Sequence, residues 1–173
     1  MSKLVIVGTV AFDAIETPFG KTDKILGGAA TYIGLSASQF NIDGAIVSVV
    51  GGDFPKEYLS MLKNKGLDIT ALEVVEDGKT FFWAGKYRND MNSRDTLATE
   101  LNFKPVVPTN YKDAEVVMLG NLHPLVQLSV IEQMNAPKVI MLDTMNFWMD
   151  NTWDDLMKVI SKVNVITIND EEA

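Results

Sequence analysis

The residues able to do chemistry are few, and they gather near expected strand ends. Gly27-Gly28-Ala29-Ala30 opens a segment of helical character. Glycines at a helix N-terminus let a ligand approach backbone N–H groups, which favour oxygen atoms or anions. The spacing is neither a Walker A loop nor a GxGxxG fingerprint, so a tight turn with small residues for close helix–sheet packing is the competing reading. Asp13 stands a few residues beyond the first expected strand. A carboxylate there can accept hydrogen bonds from ligand hydroxyls, or be an exposed loop acid. Gly51-Gly52-Asp53 ends the second expected strand, and Asp53 is expected to cap the helix that follows. Asn169-Asp170-Glu171-Glu172 follows the last strand. Its acids suit the first turn of a helix, and its Asn and Glu, one turn apart, suit the orientation of a hydrated Mg2+. Asp143 and Asn146 invite the same two readings. His123 is the single histidine and is given no catalytic role. Lys86, Arg88 and Arg94 lie in a polar stretch, Lys86 to Asp95, expected to be a solvated loop able to close over an anion.

These residues need a scaffold, and the apolar pattern supplies one. Short β-branched runs at Leu4–Val7, Ala45–Val50, Glu115–Leu119, Val139–Leu142 and Val163–Ile168 read as buried strands. Helices are expected between them: Ala29–Phe40, Pro55–Lys65, and at about 125–135 and 152–162. Pro55 suits a first turn and Gly66 a C-terminal stop. Uniformly apolar strands joined by crossover helices argue a parallel sheet covered on both faces. Residues 11–26 and 71–103 break this rhythm with alternating polar and aromatic residues, as in Thr80-Phe81-Phe82-Trp83-Ala84-Gly85-Lys86-Tyr87. Such alternation suits half-exposed antiparallel strands, with Glu76-Asp77-Gly78 as a hairpin-type reversal. A small β-sheet beside the main α/β body follows.

Composition bounds the chemistry. The chain has 173 residues, 47% hydrophobic and 22% charged, with a formal net charge of −8. That surface repels nucleic-acid phosphates and anionic lipid, so neither is an expected partner. No cysteine is present, which excludes disulfides, thiolate metal sites and thiol nucleophiles. No targeting segment and no apolar run of about 18 residues occurs, so a cytoplasmic location is expected. The nine methionines form no stripe and read as core filler.

Together, LVIVGTVAFDAIETPFG, LGGAATYIGLSAS, VVGGDFPKEYLSMLKNKGLDI, the alternating segment, LDTMNFWM and ITINDEEA resemble, in order and spacing along the whole chain, the ribokinase-like (PfkB-type) carbohydrate kinases. The resemblance implies a doubly wound, mostly parallel sheet with helices on both faces and a β-sheet lid at 11–26 and 71–103, within a single domain over 1–173. It implies that Asp13 hydrogen-bonds hydroxyls of a sugar or nucleoside, that Gly27 and Gly28 let this substrate lie against the backbone, and that Thr31 belongs to the same substrate site. It implies that Asn169 and Glu172, as an N-x-x-E motif, organise Mg2+ and the phosphates of ATP, with Glu172 acting through water. The lid is expected to close over the substrate and to support a homodimer. Gly52 and Asp53 match a turn of structural weight. Two departures stand out: Tyr32 replaces an Asn, and Ala29 a Lys, that ribokinases carry.

The family's D-T-x-G-A-G-D signature, which supplies the anion hole and the general base, is not matched by Asp143-Thr144-Met145-Asn146. A kinase of this type needs on the order of 300 residues. The chain is therefore expected to be an N-terminal portion, inactive alone, with a strand edge and a core face uncovered and the general base beyond Ala173. A phosphotransferase from ATP to a sugar or nucleoside hydroxyl is the expected function. The alternative is a non-catalytic sugar- or nucleoside-binding module. A dinucleotide-dependent dehydrogenase is disfavoured by the missing GxGxxG.

Overall fold

The computed structural model describes residues 4–87, 94–99 and 104–173. Along the chain run β1 (Leu4–Val7), β2 (Ala11–Thr17), β3 (Gly20–Lys21), β4 (Ile25–Gly27), α1 (Ala29–Ser38), β5 (Gly44–Gly51), α2 (Lys56–Asn64), β6 (Leu72–Val75) and β7 (Phe82–Tyr87). Then follow β8 (Arg94–Thr99), β9 (Val116–Leu119), α3 (Pro124–Ile131), β10 (Val139–Asp143), α4 (Asn146–Asn151), α5 (Trp153–Ile160) and β11 (Val165–Thr167).

The main sheet has the order β11-β10-β9-β1-β5-β6, and every pairing in it is parallel. Alternate residues of each strand feed opposite faces. Val5, Val7, Val47, Val117, Leu119 and Leu142 pack with Val130 of α3 and Leu156 and Val159 of α5. Ile6, Ile46 and Val50 pack on the other side with Ala30 of α1 and Leu62 of α2. Each such Val, Leu or Ile side chain, fully buried, stabilises the fold by about 1.5–3 kcal/mol. The covered, doubly wound α/β sheet expected from the apolar runs is therefore present. From β1 the chain builds outward to β5 and β6, then returns to build β9, β10 and β11 on the other side. The order reverses between β1 and β9, which is where open α/β sheets leave a crevice for ligands.

A second sheet runs β3-β2-β7-β8, with β4 also pairing to β2. It differs from expectation in two ways. β2 and β7 pair in parallel, from Phe12↔Phe82 to Glu16↔Lys86. Parallel neighbours need a long crossover, and here the connection includes α1, β5, α2 and β6. Leu72–Val75, within the stretch 71–103 expected to form the lid, instead extends the main sheet beside β5. Glu76-Asp77-Gly78 is thus no hairpin; it carries the chain from one sheet to the other, closed by Gly78 N–H donating to the Val75 carbonyl at 2.9 Å.

The expected buried strand Val163–Ile168 is the shorter β11, Val165–Thr167, at the sheet edge, with Val165 39% and Ile166 38% exposed. The short helix α4 was not anticipated. Arg88 and the lid positions 88–93 and 100–103 lie outside the described residues. Arg94 and Asp95 are not in a loop: they pair with Tyr87 and Lys86 in the ladder between β8 and β7.

Candidate functional site at the carboxyl ends of the parallel strands

After β1 the chain turns through Gly8, Thr9 and Val10 before entering β2. This turn is pinned from below by Ser48, a polar residue inside an otherwise apolar strand. Ser48 Oγ donates to the Gly8 carbonyl at 2.6 Å and accepts from Val10 N–H at 3.1 Å. The pinned turn in turn meets the start of α1. The Thr9 carbonyl accepts from Ala30 N–H at 2.9 Å, and Thr9 Oγ1 accepts from Ala29 N–H at 3.1 Å. Two of the helix's free N–H groups are satisfied this way.

Gly27 and Gly28 are required by this packing. Gly28 has φ +94°, and a Cβ there would stand 2.3 Å from the Thr9 carbonyl oxygen. A Cβ on Gly27 would stand 2.1 Å from Asp13 Oδ2, so the carboxylate lies against bare backbone. Asp13 sits on β2, paired to Ile25 on β4 and to Trp83 on β7. Burial pushes its pKa up, and the Gly28 N–H hydrogen bond partly offsets this. Thr31 is wholly buried behind the turn, and its hydroxyl has no hydrogen-bond partner among the described residues. Tyr32 donates to the Leu26 carbonyl at 3.3 Å. Burial first, then the Asp13 carboxylate and the Tyr87 phenol, raise the pKa of its hydroxyl.

A pocket of about 350 Å³ opens beside this cradle, lined by Asn121, Asp143, Thr144, Met145, Thr167, Ile168, Asn169 and Glu172. Gly120 joins the two places. Its N–H donates to the Val7 carbonyl at 2.7 Å, and a Cβ on it would meet Ala29 Cβ at 2.9 Å. Buried Gln127 of α3 clamps the ends of β9 and β10, with Nε2 donating to the carbonyls of Gly120 at 2.9 Å and Asp143 at 3.0 Å. The Asp143 carboxyl pKa is raised by burial and then by Glu172, while the N–H groups of Asn121 and Thr144 act the other way.

Asn169 and Glu172 form a reciprocal capping box. Asn169 Oδ1 accepts from the N–H groups of Glu171 at 2.9 Å and Glu172 at 3.0 Å, and Glu172 Oε2 accepts from Asn169 N–H at 3.1 Å. One turn of spacing is what such a box needs. Glu172 and Asp143 both line the pocket, near enough for Glu172 to raise the Asp143 pKa. Two neighbouring carboxyl groups of this kind suit a divalent cation that keeps waters and phosphate oxygens in its shell. Among the described residues no group of three or more His, Asp or Glu is placed to enclose a metal ion.

The substrate-side candidates Asp13, Gly27 and Gly28 are therefore together, and Asn169 and Glu172 share a second pocket with Asp143. Asp53 does not cap α2, whose N-cap is Pro55. Its Oδ1 accepts from Thr80 N–H and Thr80 Oγ1, both at 2.8 Å, because the 76–81 connection passes directly over the glycines ending β5. Burial opposes ionisation of Asp53, but the Thr80 donors and the charges of Lys79 and Lys24 together hold its pKa below the usual carboxylate range. Lys86 on β7 pairs with Glu16 on β2 at 2.6 Å rather than standing in a loop. His123 caps α3, its Nδ1 accepting from Leu125 N–H at 3.2 Å, and its ring lies 5.1 Å from Trp148. Asn146 begins α4 and does not line the pocket. Ser48, Gln127 and Asn121 were not foreseen. Polar residues within or just after apolar runs were the available signal for Ser48 and Asn121.

A family model described as pfkB family carbohydrate kinase matches residues 1–173. The chain is 29% identical over 186 aligned residues to a cytidine kinase of Thermococcus kodakarensis, covering 100% of this chain and 63% of that protein. It therefore spans less than two thirds of that relative's length. A nucleoside kinase structure from Methanocaldococcus jannaschii superposes with a TM-score of 0.75 at 21% identity, over 99% of this chain and 62% of that one. A sugar kinase from Pyrococcus horikoshii in complex with ATP superposes with a TM-score of 0.69 at 16% identity, over 94% and 62% of the two chains. The last two likenesses speak for the fold.

Proposed function

Because the chain belongs to the pfkB family of carbohydrate kinases, we propose that the protein moves the γ-phosphoryl group of ATP to a hydroxyl of a sugar or nucleoside seated on Asp13, Gly27 and Gly28. The observation that carries this reading is the contact between the Asp13 carboxylate and the bare backbone of Gly27, at the crevice where the sheet order reverses. The glycines let the carboxylate and the Thr9 turn pack closely, and the half-buried carboxylate they seat can accept from two hydroxyls of a ligand. Thr31, expected in the substrate site, is wholly buried and presents no surface to a ligand. The first N–H groups of α1 are taken by Thr9 and Asp13, so the helix contributes the positive end of its dipole to this place rather than open donors.

The pocket of Asp143, Asn169 and Glu172 is the phosphate side. Its carboxyl pair would hold Mg2+ through water, and the metal would neutralise phosphate charge during transfer. Asn169 keeps Glu172 in place through the capping box, and Asn121 and Thr144 orient Asp143 through backbone N–H groups. The described lid strands β2, β4 and β7 supply the wall over the substrate. Such catalysis rests on positioning and charge stabilisation.

The test is a coupled assay of ADP formation by the full-length protein, with Mg2+ and ATP, over a panel of sugars and nucleosides. At least one should be turned over. Asp13→Ala should lower kcat/KM for it by about tenfold or more, the loss of a charge-assisted hydrogen bond or two. No turnover across the panel would overturn the kinase reading and favour a binding module.

A further inference from the structure

The face of the small sheet that carries Asp13 is unusual in composition. Side chains alternate along strands, and paired residues share a face. Asp13 therefore shares its face with Ile15 on β2, Ile25 on β4, and Trp83, Gly85 and Tyr87 on β7. The charged residues Glu16 and Lys86 pair with each other on the opposite face. Trp83 is directly beside Asp13 in the ladder, one strand spacing of about 4.8 Å away. Its indole lies over Gly85, where a Cβ would stand 2.0 Å from the ring. Tyr87 meets the indole edge-on, with ring centroids 6.5 Å apart at 68°. Glycine at 85 thus lets the indole lie flat along the sheet, and the tyrosine fixes its far edge.

The ligand surface that results is one carboxylate next to a flat aromatic and aliphatic wall. A free sugar carries hydroxyls all round its ring, and those facing Ile15, Ile25 and the indole would lose water without gaining partners. A ligand with a hydroxylated end and a planar, π-rich end fits both halves. Stacking of a heterocycle on an aromatic side chain is favourable for any base, since every base has a π-face. Resting on the kinase reading above, we infer that the acceptor substrate is a nucleoside. Its ribose hydroxyls meet Asp13 and its heterocycle stacks on Trp83 beside Tyr87. Trp83 and Tyr87 then determine specificity without touching the transferred group.

The test is calorimetric binding of cytidine, adenosine and free ribose to the full-length protein, alongside Trp83→Ala, Trp83→Phe and Tyr87→Leu. The nucleosides should bind more tightly than ribose. Trp83→Ala should weaken them about 5- to 150-fold while leaving ribose within about twofold, and Trp83→Phe should recover most of the loss. Tyr87→Leu should weaken nucleosides less than Trp83→Ala does, which keeps the test sharp if the alanine variant folds poorly. Nucleosides binding no better than ribose would overturn the inference. So would a parallel loss for ribose and nucleosides in the Trp83 variants, the mark of a sugar ring lying on the indole. Binding without phosphoryl transfer separates this outcome from the kinase reading: tight nucleoside binding with no ADP formed refutes the kinase alone, and turnover of sugars without nucleoside binding refutes the base-stacking wall alone.

Discussion

Replacing Ser48 with alanine tests whether the site is held from inside the sheet. Ser48 is 2% exposed, and its hydroxyl is the shared partner of the Gly8 carbonyl and the Val10 N–H. Val10 itself is fully buried, so water has no easy route to the stranded groups. Each buried backbone group left unsatisfied costs about 1–3 kcal/mol, and the two together about 2–6 kcal/mol. At about 2–4 °C per kcal/mol for a domain of this size, Tm should fall by about 4–24 °C. Ser36→Ala, at an exposed position of α1, should stay within about 0.5 kcal/mol of the parent. The Gly8–Val10 turn also carries Thr9, which receives the first N–H groups of α1, so substrate affinity should weaken along with stability. Scanning calorimetry of the full-length protein, followed by ligand titration, reads both effects. A Tm loss no larger than that of Ser36→Ala would refute the claim that these two hydrogen bonds hold the turn.

Two further outcomes follow from the cradle. Gly28→Ala should destabilise more than Gly66→Ala in urea denaturation: both have positive φ, but a Cβ at Gly28 runs into the Thr9 carbonyl and one at Gly66 meets nothing within 4 Å. The positive φ alone costs about 1–3 kcal/mol at either position, and equal losses would show that the clash is relieved. Asp13→Asn should raise stability at neutral pH while weakening the ligand. The folded pKa of Asp13 lies above its unfolded value, so its ionised form is the disfavoured one in the fold. The group's contribution is most favourable below the unfolded pKa and is lost as pH rises through the raised folded value. The gain from Asn should therefore shrink as pH falls through that raised value, and an Asn variant less stable than the parent at pH 7 would contradict this sign.

Much of the fold was legible because the strands are short, apolar and buried on both faces, and the order of strands and helices leaves a parallel sheet as the natural solution. Gly27, Gly28 and Asp13 could be singled out for the same local reason, as residue types whose chemistry is visible without neighbours. Asn169 and Glu172 were legible as a pair one turn apart, but two readings of that spacing stood open, and the capping box shows how the pair is held. What the sequence by itself determined, then, is the framework and the residue types at its strand ends. The tertiary structure alone decided the partners. The long crossover places Trp83 beside Asp13 across 70 positions of sequence, moves Leu72–Val75 into the main sheet, and turns Asp53 from a helix cap into the acceptor for Thr80. Local patterns report which face of an element is apolar. Which distant element meets that face is set by the packing of the whole chain, and the proposed substrate wall is made of such meetings.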